Sequence, residues 1–81
     1  MATIHPLAPF SQQFFGGTAQ LNVSAKNIFG LIEALNALAP GFADVAGLRA
    51  TFAIDGSVQN DWSATIPTDA EVTLFPRVAG G

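Results

Sequence analysis

Ile28, Leu31, Ile32, Leu35 and Leu38 fall at i, i+3, i+4, i+7 and i+10, a spacing that lines all five along one stripe of an α-helix. A helix of about three turns is marginal alone in water, so the rest of the chain has to supply a matching apolar face. Asn27 is the expected N-cap, with Ser24 as an earlier option, and Pro40-Gly41 stops the helix. Gly30, inside it, costs about 1 kcal/mol relative to alanine, which burial of the stripe can offset.

The remaining segments read as strands and their connections. Ala2 to Leu7 forms a first strand with Ile4 pointing inward. Pro6 requires that pairing be complete before it, or that it occupy a strand end or a bulge. Pro9 to Gly17 is a connection carrying Phe10, Phe14 and Phe15, which are expected to cap one end of the core; a partner-binding patch is the alternative. Thr18 to Val23 alternates, with Leu21 and Val23 on one face, and completes an antiparallel hairpin. After the helix, Phe42 to Leu48 reads as a connection whose Phe42, Val45 and Leu48 tuck under the sheet. Thr51 to Ile54 is a compact strand, Asp55-Gly56 signals a tight primed turn, and Ser57 to Gln59 returns. Asn60 to Asp69 is an irregular excursion with Trp62, Ile66 and Pro67, and Glu71 to Phe75 alternates as the last strand. This ββαβββ order implies an α+β domain, with one main helix packed on one face of a mixed sheet of four to five strands.

The totals narrow the partners. Eighty-one residues make one domain with one small core. No cysteine is present, which removes disulfides and thiolate metal sites. Charged residues are 11%, against about 25% in typical domains, so the surface is poor in charge and part of it is expected to meet a partner. Three basic residues against six acidic ones, without a basic cluster, argue against nucleic acid and anionic membrane as ligands. No segment reaches the roughly 20 apolar residues that span a bilayer. The opening Met1 to Pro6 lacks a positively charged region ahead of an apolar one, so the expected location is cytoplasmic.

Beyond the last strand the chain changes character. Pro76 is expected to end the pairing by removing a backbone donor and to set an extended direction; Arg77, Val78, Ala79, Gly80 and Gly81 then grow progressively smaller. The division expected is a domain over residues 1–75 and a flexible tail over 76–81. Six residues reach roughly 20 Å at about 3.3 Å each, enough to thread into another protein. Glycine at the tip lets backbone approach backbone, and the expected end group is the Gly81 carboxylate, ionised at neutral pH.

Phe75-Pro76-Arg77-Val78-Ala79-Gly80-Gly81 resembles the end of the MoaD/ThiS-type sulfur-carrier family, whose members close on a hydrophobic-Pro-x-Val-Ala/Ser-Gly-Gly pattern. Arg77 stands where the molybdopterin members commonly have a second proline. The resemblance extends to the hairpin at Ile54-Asp55-Gly56 and to Asp69-Ala70-Glu71-Val72, where Ala70 replaces the family's usual glycine. It implies a ubiquitin-like β-grasp fold. It also implies that an E1-like adenylating enzyme uses ATP and magnesium to activate Gly81, which is then converted to a thiocarboxylate. A sulfur-accepting enzyme, such as a molybdopterin synthase large subunit, is the implied second partner. On this reading no cofactor is permanently bound, and the chain is a carrier subunit rather than an enzyme alone.

The residues themselves offer no other reactive centre. His5 is the sole histidine, the serines fit no nucleophile elbow, and the six carboxylates are spread singly, with no metal-ligand spacing. If Val72 and Leu74 face the helix, Phe75 faces away as an exposed aromatic and a candidate interface anchor; the alternative is an edge residue covered by the Asn60 to Pro67 excursion. Phe75 through Gly80 are therefore the expected partner-binding residues and Gly81 the reacting one. The first destination considered is molybdopterin synthase; the others are a carrier for cysteine, thiamine or another sulfur product, a ubiquitin-like modifier joined to lysines, and a plain interaction module.

Overall fold

A computed structural model describes residues 1–77, so the expectations for Val78, Ala79, Gly80 and Gly81 fall outside the described residues. The elements are β1 (Ala2–Pro6), α1 (Phe10–Phe14), β2 (Leu21–Val23), α2 (Ile28–Leu38), α3 (Phe42–Arg49), β3 (Ala50–Ile54), β4 (Ser57–Val58) and β5 (Glu71–Pro76). Five strands form one mixed sheet in the order β2-β1-β5-β3-β4. The central pair, β1 and β5, runs parallel, and every other neighbouring pair is antiparallel. This is the expected α+β architecture, with two helices added to the single one foreseen.

The prolines sit where the ladder needs no donor. Thr3 and Leu7 donate toward β5, to the carbonyls of Ala70 and Leu74, so the absent N–H of Pro6 lies on the β2 side. Pairing with β2 stops at Ile4. Pro76 mirrors this at the end of β5: Arg77 N–H donates to Arg49 carbonyl at 2.6 Å on the β3 side, and the missing donor faces β1, which has already ended. Pro76 therefore does not end the pairing; it remains opposite Ala50.

Alternation then builds the core. Ala2 and Ile4 of β1, Ala50 and Phe52 of β3, and Val72 and Leu74 of β5 are buried beneath α2, whose Ile28, Leu31, Ile32 and Leu35 supply the facing stripe. Asn27 caps α2, its side-chain oxygen accepting from Gly30 N–H at 2.8 Å. A Cβ on residue 30 would meet that oxygen at 3.3 Å, so the glycine gives the cap room. Leu38 does not join the stripe: it is 63% exposed, and Ala39 is buried in its place.

Phe42 to Arg49 is a helix rather than a bare connection. Asn36 of α2 accepts from Gly41 and Ala43 N–H at 3.1 and 3.0 Å, capping α3 from outside its own segment. The helical period turns Phe42 and Ala46 inward and leaves Val45 half-buried and Leu48 76% exposed, which corrects the expectation that all three apolar residues are covered. Phe10 and Phe15, with half-buried Phe14, close this end of the core around Phe42, as the capping expectation required; their ring centroids lie 6.1, 5.5 and 5.5 Å from that of Phe42. Thr18 to Gln20 stay outside β2, because Gly17 and Thr18 N–H are taken by the turn that follows α1.

Two turns fix the far end of the sheet. Asp55 and Gly56 both have positive φ, 49° and 86°, as the tight turn between β3 and β4 requires. At the start of β5 the left-handed residue is Asp69, φ 62°, so Ala70 is free of that demand and is buried.

Candidate functional site

β5 is the middle strand, and its C-terminal end leads toward the residues expected to do chemistry. Phe75 lies opposite Thr51 of β3, and the burial of Val72 and Leu74 puts Thr73 and Phe75 on the sheet face away from α2. Both are half-buried, so Phe75 is less open than expected. It is not an edge residue, and the excursion does not cover it. That segment runs along the helix side instead: Phe29 N–H donates to Trp62 carbonyl at 3.1 Å, and the Trp62 ring packs edge-on against Phe29 and Phe52, at 5.7 and 5.9 Å.

The face around Phe75 is apolar at the tail end. Leu7 lies one position beyond the Pro6–Leu74 pair, beside Phe75, and is 48% exposed; Val58, 56% exposed, lies further back on the same face, level with Ala53, Thr73 and His5. Towards the other end the same face turns polar, with His5 Nε2 2.9 Å from a Glu71 carboxylate oxygen and Thr3 donating to Asn22 at 3.3 Å. Among the described residues no cluster of histidine and carboxylates is suited to hold a metal ion.

Pro76 and Arg77 are exposed at the rim, and Arg49, at the end of α3, lies against them. Sequence reasoning named Phe75, Pro76 and Arg77 but missed Arg49, Leu7 and Val58. The signal for Arg49 was its rarity, as one of three cations. For Leu7 and Val58 only strand pairing supplies it. The opposite pole carries an open groove of about 790 Å³ between Met1-Ala2, the start of α2 and Thr65 to Thr68. In the segment after β4, the Asp61 carboxyl is held below its ordinary pKa of 3.8 by the hydroxyl and then the N–H of Ser63.

No protein-family model matches the chain, and no curated protein sequence matches it significantly. Solved structures do match. CysO from Mycobacterium tuberculosis superposes with a TM-score of 0.83 at 14% identity, covering 96% of this chain and 100% of that one. SAMP1 from Haloferax volcanii gives 0.69 at 16% identity, covering 99% and 98%. A chain from the complex of subunits 1 and 2 of the Helicobacter pylori molybdopterin-converting factor gives 0.66 at 15%, covering 99% and 97%. Over almost its whole length, then, this chain has the β-grasp fold that CysO, SAMP1 and the molybdopterin-converting factor chain share.

Proposed function

We propose that this protein is a sulfur carrier whose working group is the Gly81 carboxyl, delivered to partner enzymes on a tail that leaves the sheet at Arg77. The observation that carries the reading is the placement of β5: the central strand ends exposed at the rim, beside the neighbouring apolar side chains of Leu7 and Phe75. A strand gripped on both sides gives a tail a fixed origin, and the apolar face gives a partner something to hold while the tail is threaded.

In the proposed chemistry, an E1-like enzyme with its own ATP and magnesium joins the Gly81 carboxylate to AMP, releasing pyrophosphate. A sulfur donor then displaces AMP and leaves a thiocarboxylate. Gly80 and Gly81, without Cβ atoms, let the backbone pass close to the catalyst. The domain itself supplies recognition and position. A cytoplasmic setting suits the need for ATP. Within the class, the tail pattern favours delivery to a molybdopterin synthase large subunit, while the single proline, with Arg77 following, favours a carrier serving cysteine or another sulfur product.

Intact-mass measurement after incubation with the cognate adenylating enzyme, ATP, magnesium and a sulfide source tests the proposal. Exchange of one oxygen for sulfur at the C-terminus is the expected result, with the product trapped by a thiol-reactive reagent. The chain has no cysteine, so labelling has one site and oxidation of Met1 is not mistaken for it. Conjugates to lysines would instead identify a modifier, and an unchanged mass would reject activation altogether.

A further inference from the structure

The chain has only three cationic side chains, Lys26, Arg49 and Arg77, and two of them meet at the base of the tail. Arg77 N–H donates to Arg49 carbonyl at 2.6 Å, one ladder step beyond the Ala50–Pro76 pair. Their backbones are joined there, Arg49 as the last residue of α3 and Arg77 as the first after β5, so two like charges share one rim of the sheet. Both arginines are exposed. Neither is neutralised from within: among the described residues the ion pairs are Met1 amino with Asp69 and His5 with Glu71. Asp44 sits in the first turn of α3, at the other end of that helix from Arg49. Asp55, Asp69 and Glu71 gather at the far end of the sheet, roughly 20 Å away at about 3.3 Å per residue of β5. A chain of net charge −3 thus keeps one cationic pole, and keeps it where the tail begins.

We infer that the Arg49–Arg77 pair is a docking site for an acidic protein segment, a cluster of aspartate or glutamate side chains at the mouth of the channel that receives the tail. The threading rests on the carrier proposal; the cationic pair does not. Two exposed arginines at one rim offer donors to a cluster of carboxylates, and a partner that brings negative charge offsets their like charges. Long-range attraction toward that pole also orients the encounter so that the tail arrives first. The phosphate of an adenylate is not the anion served, because Gly81 lies four residue steps beyond Arg77, roughly 13 Å when extended.

NMR titration of the full chain with a hexaglutamate peptide tests this, following the arginine Nε–Hε signals and the backbone amides. Saturable shifts are expected at Arg49 and Arg77 together, with the Lys26 amide unmoved. Raising ionic strength to about 0.3 M weakens the binding several-fold, because the screening length falls below 10 Å. Arg77→Glu lowers affinity at least fivefold while the melting temperature holds or rises, since the substitution replaces like charge with opposite charge at the rim that Arg49 shares. Equal shifts at Lys26, or binding unaffected by Arg77→Glu, would overturn the site. So would adenosine monophosphate producing the same shifts at tenfold lower concentration. Failure of the carrier reading has a different signature: hexaglutamate binds at the arginine pair but Gly81 is never activated.

Discussion

The side-chain oxygen of Asn36 serves two N–H groups, those of Gly41 and Ala43, that would otherwise open α3 unpaired. Asn36→Ala is expected to destabilise the fold by about 1–2 kcal/mol in urea unfolding, while Asn36→Asp, which keeps the acceptor, recovers most of that. Asn27→Ala, which removes the cap of α2, costs about 1 kcal/mol by the same measure. Asp61 gives a pH prediction. Its folded pKa lies below 3.8, so its contribution is fully present above the unfolded value and is lost as pH falls through the folded one. A carboxyl-carbon NMR titration should place its midpoint below that of an ordinary aspartate, and Ser63→Ala should move it upward, because the Ser63 hydroxyl bond is the larger cause.

At the scale of elements, the phenylalanines of α1 and its C-terminal end converge on α3. Phe42 is fully buried among Phe10, Phe14 and Phe15, so Phe42→Ala is expected to cost about 3–5 kcal/mol and to leave a domain of this size close to unfolding. Phe75 belongs to the other face of the sheet and is only half-buried. Phe75→Ala should therefore lose clearly less than Phe42→Ala in a thermal melt, yet weaken binding to the adenylating partner in a titration. Equal stability losses, or unchanged binding, would count against the proposed interface. The existence of α2 was legible because five apolar residues repeat at its period. α3 was not, since Gly41, Ala43, Ala46 and Gly47 give a weak pattern and its cap comes from a residue on another helix.

For the molecule as a whole, the sheet order β2-β1-β5-β3-β4 puts the last strand in the middle, where it is held by β1 and β3. All five strands lie within the described residues, and a change at Gly81 is expected to leave them alone. Deletion of Gly81 is expected to abolish activation in the mass assay while the melting curve stays superimposable on that of the full chain. An active truncated protein would defeat the carrier proposal.

The sequence alone was enough for whatever depends on neighbours along the chain. The period of α2, its Asn27 cap, the Asp55-Gly56 turn and the alternation through Glu71 to Phe75 are set by backbone sterics and burial within a few residues. The tail pattern belongs to the same class, because it is itself a string of residues. Only the tertiary structure decided which residues meet across the fold: Leu38 and Leu48 left exposed, Phe75 shielded by strands on both sides, and the Arg49 carbonyl joined to the Arg77 N–H. Those outcomes turn on strand pairing between segments tens of residues apart, and no local spacing records a register that long-range hydrogen bonds select.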